Sequence, residues 1–341
     1  MKTLTIAVLY GGKSTEHEVS VHSAGDVCKE LQKKYKILPI FISKTGQWFL
    51  QKTCGFKTKN DVEIFPLVNG NLIDKKGKKY KIDLFFPVLH GTFGEDGCVQ
   101  GLFETLGVKY IGCKVLASAL AMNKELSKEI AVKTKIPVLP WFSLRKDEKL
   151  NKQVIFKNAK KLGYPLFVKP NSLGSSIGIT KVNKEKELLP AIKKAFEFEN
   201  YILVEKGLDN AREVFCAVIE MDAGIFKASA CGELIKSNSE FFDYETKYHN
   251  PHGCDMDIPA KISKPLQNKL QEYTKKFFIA LGGTGLSRID FLISQDGKKA
   301  YFSEINTLPG LSRTSLFPNL LKEEGLTYTK QLDILIKTAL S

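Results

Sequence analysis

The sequence predicts an α/β fold of two or three domains, and three observations carry that prediction. The chain opens on an apolar run, a glycine pair and a helical stretch, which together make the first half of an α/β unit. Strand-like runs and helical stretches then follow one another along most of the 341 residues. Towards the C-terminal end, two β-rich runs flank an Asp-Gly turn, bringing two acids, an arginine and an asparagine close together. A composition of 43% hydrophobic and 26% charged residues leaves ample core for more than one domain.

Bulk properties narrow the function. No apolar run approaches the roughly 18 residues a membrane span needs, so none is expected. Met1 to Tyr10 carries one lysine and ends in Gly11-Gly12-Lys13, which reads as a strand entering a loop rather than a signal peptide. The seven cysteines (28, 54, 98, 113, 216, 231, 254) are odd in number and never spaced C-x-x-C. That pattern fits reduced thiols in a cytoplasm, with neither zinc nor disulfides implied. A net charge of +14 raises nucleic acid as a partner. However, the cations are 47 lysines and only four arginines, the usual readers of bases and phosphate forks. The charge therefore reads as a solvated lysine surface, with a small anionic substrate as its beneficiary.

Taken in order, Thr3 to Tyr10 is a strand, Gly11-Gly12 a turn, and Lys13-Ser14-Thr15-Glu16-His17-Glu18-Val19-Ser20 the entry to a helix reaching about Lys34. A Walker A loop is excluded because its first glycine would fall on Ala7, and H-E-x-x-H is excluded because His22 comes one residue late. Glu16 or Glu18 is either a helix cap or a substrate contact. Strands near Lys36–Ser43 and Trp48–Leu50 precede the buried run Ile82 to His90, whose mouth carries the loop Gly91 to Gly97 with three glycines. Val115 to Lys133 reads as one helix carrying Asn123-Lys124, with a change of domain near residue 123.

From Tyr164 the chain runs strand, glycine loop, strand: Pro165 to Pro170, Asn171 to Gly178, Ile179 to Val182. Such a loop either joins a plain hairpin or closes over phosphates with its backbone N–H groups, while Lys169 adds a point charge. A helix over about Lys184–Phe198 leads to the strand Tyr201 to Leu208 and then to Arg212-Glu213-Val214. Glu240 to Gly253 is polar and aromatic, as lids are. A helix over about Lys264–Leu281 precedes the hairpin, and two helical stretches follow Pro318.

In the hairpin Ser287–Gly310, a three- or five-residue loop centred on Gly297 sets Asp290 opposite Glu304 and Arg288 opposite Asn306, all on one face. A two-residue turn would shift the register by one and separate the acids. Opposed carboxylates with Cβ atoms about 4.5–5.5 Å apart repel. Either a lysine or a hard cation such as Mg²⁺, which takes one or two carboxylates plus substrate phosphates, meets the need for positive charge between them.

Five stretches match one family in order. They are Gly11-Gly12…Glu16-His17-Glu18-Val19-Ser20; His90-Gly91…Gly94-Glu95-Asp96-Gly97; Lys169-Pro170…Gly174-Ser175-Ser176-Ile177-Gly178; Asp243-Tyr244-Glu245-Thr246-Lys247-Tyr248; and Arg288-Ile289-Asp290 with Glu304 to Gly310. From about residue 3 to 335 the chain resembles the D-alanine–D-alanine ligases of the ATP-grasp superfamily. The resemblance implies three domains, 1–122, 123–213 and 214–341: an N-terminal Rossmann-like (pre-ATP-grasp) domain, a central ATP-grasp part and a C-terminal part with the metal and catalytic residues.

It also implies ATP-dependent joining of two D-alanines through a D-alanyl phosphate, for peptidoglycan precursors, with Mg²⁺ or Mn²⁺, two ions, on Asp290, Glu304 and Asn306. The catalytic set it implies is Glu16, Ser175, Tyr248, Arg288 and the Gly310 amide, with His90, Ser315 and Leu316 on substrate. The ATP set is Lys124, Lys169, Ser176, Glu205, Lys206, Leu208, Glu213 and Lys247. A cytoplasmic homodimer, with neither nucleic-acid nor membrane partners, follows by analogy. Tyr248 favours an amine acceptor over D-lactate. Leu311 and Thr314 stand where the family often has methionine and histidine, which leaves acceptor choice, D-alanine or D-serine, resting on the second subsite.

Overall fold

The computed structural model describes residues 3–236 and 254–341, which build three sheets. The first has seven strands in the order β6-β5-β4-β3-β2-β1-β7. β1 (Thr5–Gly11) lies between β2 (Lys36–Ile42) and β7 (Leu84–Pro87), parallel to both. Covered on both faces, it reads as a continuous apolar run instead of an alternating one. α1 (His17–Leu31) carries the chain from β1 to β2. β3 (Trp48–Leu50), β4 (Val62–Pro66), β5 (Asn71–Asp74) and β6 (Lys79–Lys81) extend the sheet as an antiparallel meander. Sequence reading found β3 but missed the rest, because these strands are short and half exposed, and β6 carries two lysines in three residues. Lysine on the edge strand β6 protects an edge that would otherwise pair with another chain.

α2 (Cys98–Leu106) and α3 (Val115–Met122) follow. The single helix expected over Val115–Lys133 is two, because Asn123 is extended (φ −84°, ψ 106°) and its side chain accepts a hydrogen bond from the Leu126 N–H at 2.9 Å. A capping asparagine starts a new helix, α4 (Lys124–Lys133), on a new axis.

The second sheet is antiparallel, in the order β10-β9-β11-β8, from β8 (Trp141–Arg145), β9 (Leu166–Pro170), β10 (Thr180–Val182) and β11 (Tyr201–Lys206). α5 (Lys152–Leu162) and α6 (Leu188–Ala195) cover it, and Ile155, Leu166, Val168, Ile192 and Val204 form a core of its own. The helix expected over Lys184–Phe198 begins instead as a 3₁₀ turn at Glu185–Glu187.

The third sheet, β14-β13-β12-β15-β16, comprises β12 (Arg212–Asp222), β13 (Ile225–Lys236), β14 (Cys254–Asp257), β15 (Leu286–Ile293) and β16 (Ala300–Asn306). α7 (Lys264–Ala280) packs Phe277 and Phe278 against Ile289, Phe291 and Phe302 on one face. On the other face Phe215, Ala217 and Ile219 join Val8, Tyr10 and Val21 of the first unit and Phe317, Leu320 and Leu332 of α8 (Leu316–Lys322) and α9 (Tyr328–Leu340) in one continuous core. α8 starts before Pro318, not after it, since proline in a first turn forfeits no helical hydrogen bond. The first and third sheets are thus fused by apolar packing.

One expectation is overturned. Cys28 on α1 and Cys54 beyond β3 form a disulfide with S–S 2.11 Å, whereas Cys98, Cys113, Cys216 and Cys231 are free thiols. Linear spacing hides the pair because β2 and β3 must fold back before the two meet.

Phe277 is fully buried and stacks on Phe302 with ring centroids 4.3 Å apart. Phe277→Ala is expected to lower the unfolding free energy by about 3–5 kcal/mol, read from urea denaturation. A loss below about 1 kcal/mol would contradict this packing.

Candidate functional site

The site is organised by the β15–β16 hairpin. Arg288 faces Asn306 and Asp290 faces Glu304, as expected, but the route to that register differs. Ser294 N–H donates to the Lys299 carbonyl at 2.9 Å, so the loop holds four residues, Gln295 to Lys298, not three or five. Phe291 accordingly pairs with Phe302, out of register with the acids, and a β-bulge at Ser303 restores it before Glu304. The bulge re-aims the strand so that the two carboxylates share a face.

Above the hairpin is a cavity of about 420 Å³ whose wall includes Glu16, His90, Lys124, Ser175, Glu213, Arg288, Asp290, Glu304, Asn306, Gly310, Ser315 and Leu316. Lys169, Ser176, Glu205, Lys206 and Leu208 do not line it. Lys247 and Tyr248 lie outside the described residues.

Glu16 precedes α1 without capping it through its side chain. Its Oε2 lies against two loops: a Cβ on Gly91 would come within 2.5 Å of it, and one on Gly174 within 3.8 Å. Glu18 instead forms a surface pair with Lys44 at 2.7 Å. Ser175 and Ser176 both adopt left-handed backbone conformations (φ 53° and 59°), a strained arrangement for residues with a Cβ.

His90 and Glu95 clasp the hairpin's exit. His90 Nδ1 lies 3.0 Å from the Leu308 carbonyl, and Glu95 accepts from the Gly91 N–H at 2.8 Å and the Leu308 N–H at 3.0 Å. Burial, only partly offset by Glu16, holds His90 below its ordinary pKa and therefore neutral. Burial, helped by Glu16, pushes Glu95 up to about 8. Sequence reading quoted Glu95 within its motif but did not single it out.

Arg288 donates twice to Asp290, at 2.7 and 2.8 Å, and the Asn306 amide nitrogen donates to Asp290 Oδ2 at 3.3 Å. The positive charge facing Asp290 is thus an arginine here, not the lysine considered from sequence. Two carboxylates and an amide on one face are hard oxygen donors, few enough to leave room for phosphate oxygens, which suits Mg²⁺ or Mn²⁺. Among the described residues no cluster of three His, Cys, Asp or Glu competes for a metal.

The cations of the nucleotide set have partners of their own. Lys124 Nζ donates to the Leu173 carbonyl of the glycine loop. Lys169 Nζ donates to Glu205 Oε2 at 2.6 Å, and Lys128, which sequence reading passed over, donates to Glu205 Oε1. Lys206 turns away, its Nζ on the carbonyls of Gly163 (3.2 Å) and Tyr164 (2.8 Å) and its N–H on that of Pro140 (2.9 Å). Its ammonium ties β11 to the end of α5. Burial alone would raise Glu205, but the ammoniums of Lys128 and Lys169 outweigh it and hold the carboxyl at about 2. Burial wins on Lys128, lowering it, and Glu205 wins on Lys169, raising it.

At the far end, Ser315 Oγ lies 2.6 Å from Ser312 Oγ, and a Cβ on Gly310 would meet it at 2.8 Å. Thr314 lines the cavity, whereas Leu311 is buried in the core shared by the first and third sheets. The loop is anchored to α1: Arg313 donates its N–H to Asp26 at 2.8 Å and its guanidinium to Glu30.

Two family models match the chain. Residues 5–113 match the family described as D-ala D-ala ligase N-terminus, and residues 130–337 match D-ala D-ala ligase C-terminus. The D-alanine–D-alanine ligase B of Clostridium tetani is 39% identical over 348 residues, covering 100% of this chain and 95% of that protein. Among solved structures, the VanG D-Ala:D-Ser ligase of Enterococcus faecalis superposes with a TM-score of 0.87 at 35% identity, over 99% of this chain and 100% of that one. The D-alanine–D-alanine ligase of Coxiella burnetii gives a TM-score of 0.87 at 31% identity, over 100% and 94%.

Glu205 generates a pH prediction. Its folded pKa, about 2, lies below an unfolded value of roughly 4.3, so its contribution is present above the latter and lost as pH falls towards the former. Unfolding free energies measured from pH 5 to 2 are expected to fall more steeply for the wild type than for Glu205→Gln. Parallel curves would remove the charge assignment.

Proposed function

This chain belongs to the D-alanine–D-alanine ligase family, and we propose that it uses ATP to join two D-alanines into D-alanyl-D-alanine, a peptidoglycan building block. The observation that carries this reading is the Asp290–Glu304 pair beside Arg288 and Asn306, in one cavity with Glu16, Lys124 and Ser315. The first substrate's carboxylate attacks the γ-phosphate to give D-alanyl phosphate and ADP. The second substrate's amine then attacks the acyl carbon and displaces phosphate.

Phosphoryl transfer depends on positioning and charge neutralisation, and Lys124 and Lys169 supply both at the phosphates. Asp290, Glu304 and Asn306 would hold the magnesium or manganese ions, two by analogy with the family. When bound, these neutralise charge on the transferring group. Glu16, against both the Gly91 and Gly174 loops, takes the first substrate's ammonium, and Ser175 with Tyr248 completes that side. The Arg288 guanidinium and the Gly310 N–H face the oxyanion of the tetrahedral intermediate, where fixed donors aimed at developing charge do most for rate. His90, neutral, belongs to the substrate wall, and Ser315 with the Leu316 N–H holds the second carboxylate.

Glu213 takes the ribose, while Ser176, Glu205, Leu208 and the Lys206 backbone border the nucleotide. Lys247, outside the described residues, is a further phosphate contact. The domain division is 1–122, 123–213 and 214–341, and the working unit is a homodimer in the cytoplasm, where ATP is made. Among the described residues no helix is long and apolar enough to cross a membrane.

A D-serine acceptor is the second reading, favoured by the 35% identical D-Ala:D-Ser ligase and by Thr314 at the acceptor end of the cavity. The deciding assay measures ADP release and identifies the product. ADP is expected only with both D-alanine and Mg²⁺ present, with L-alanine inert. Release independent of D-alanine would remove the reading, and a D-alanyl-D-serine product would select the second.

Glu304→Gln is expected to cut turnover at limiting Mg²⁺ more than about tenfold while leaving the urea transition within about 1 kcal/mol. Near-normal turnover would overturn the metal assignment.

A further inference from the structure

We propose that Lys128 is a positioning residue for the nucleotide: its ammonium keeps Glu205 neutralised, which lets Lys169 leave that carboxylate for a phosphate. The inference rests on the nucleotide site proposed above and deepens it. Lys128 stands one turn after Lys124 on α4, is 1% exposed, and lies with its Nζ 5.8 Å from the Trp141 ring centroid. Its charge therefore meets no solvent and faces inward to Glu205 Oε1. Lys169 holds the other oxygen, Oε2, at 2.6 Å. Two ammoniums and one carboxylate leave a net charge of +1 in a site open to solvent only on the Lys169 side.

The two lysines differ in what else they face. The Lys169 side chain is 15% exposed against 2% for Lys128, and while both lysines feel Glu205 and Glu304, Lys169 also feels Glu213 on the cavity wall. Lys169 is thus the mobile partner and Lys128 the fixed one. If Lys169 alone neutralised Glu205, every excursion towards a phosphate would strand a buried carboxylate, which the interior tolerates poorly. The stranded charge would also repel the phosphate. With Lys128 in place, Glu205 keeps a full partner while Lys169 moves. Were Lys128 only a structural tie between α4 and β11, its loss would weaken the fold without singling out phosphate.

Isothermal titration calorimetry separates the two roles. The titrants are ADP with MgCl₂ and, as a phosphate-free probe, adenosine; the proteins are wild type, Lys128→Met, Glu205→Gln and the double variant. Lys128→Met is expected to weaken ADP about tenfold or more and to leave adenosine unchanged. In the Glu205→Gln background, where no carboxylate can be stranded, adding Lys128→Met should change ADP affinity less than twofold. Equal losses for ADP and adenosine, an unchanged ADP affinity, or the same factor in both backgrounds would overturn the proposal.

If Lys128→Met alone does not fold, the charge-balanced double variant against Glu205→Gln decides. Matching ADP affinities support the proposal, and a tenfold gap overturns it. A wild type that binds neither titrant removes the nucleotide site and this inference with it. Wild-type binding with a factor common to both backgrounds removes this inference alone.

Discussion

One extra residue in β16 governs the geometry of the site. The four-residue loop closed by Ser294 and Lys299 would, in an unbroken ladder, set Asp290 against Ser303 and leave Glu304 pointing to the other face. The bulge at Ser303 absorbs the mismatch, and Glu304 and Asn306 beyond it are recovered for the cavity while Ile305 stays in the core behind. Like charges held opposite one another are unfavourable in an isolated hairpin. The arrangement persists because Arg288 grips Asp290 from two residues away and because Ile289, Phe291 and Phe302, on the reverse face, are locked into the α7 core. Apolar packing on one side thus enforces an electrostatic conflict on the other, and that conflict is the chemistry a divalent cation and a triphosphate can use.

The same opposition recurs in the clasp at the hairpin's exit. Glu95 is half-buried beside Glu16, and its carboxyl is pushed up to about 8, yet both its oxygens accept backbone N–H groups. One of those groups belongs to Leu308, just beyond Asn306, so a residue of the first unit fixes where the hairpin ends. His90, kept neutral by burial, reaches the carbonyl of the same leucine. Together with the continuous core from Val8 to Phe215 and Phe317, this makes the first and third sheets one rigid platform for Glu16, Arg288 and Gly310.

Much of this was legible in the sequence because it depends on local pattern. The Asp-Gly turn between β-rich runs announced the hairpin, and alternation along it placed Arg288, Asp290, Glu304 and Asn306 on one face. The register came out right from a loop length that was wrong, since no local signal marks Ser303 as a bulge. The break at Asn123 was legible in principle, because asparagine before an acidic first turn is a cap signal, but the apolar residues on either side suggested one helix. Lys128 and Glu95 escaped because their roles arise from burial and from partners far along the chain, at Glu205 and Leu308. The Cys28–Cys54 bond was hidden for the same reason, and β4 to β6 because their exposed faces blur the alternation.

α4 shows why those long-range pairs matter. Its Ala131 packs with the third sheet's core, while the second sheet keeps a core built only from its own elements. What joins α4 to the second sheet is instead polar: the Lys124 N–H on the Asn171 carbonyl at 2.9 Å, its ammonium on Leu173, and Lys128 on Glu205. An apolar joint gains nothing from a charged ligand, but an ionic one is open to competition from a triphosphate, whose oxygens offer the same ammoniums stronger partners. Placing the cations at the seam between a rigid platform and a separately packed sheet therefore ties nucleotide arrival to the fit of one against the other. The glycine loop, with its two strained serines, meets that seam through the Leu173 carbonyl.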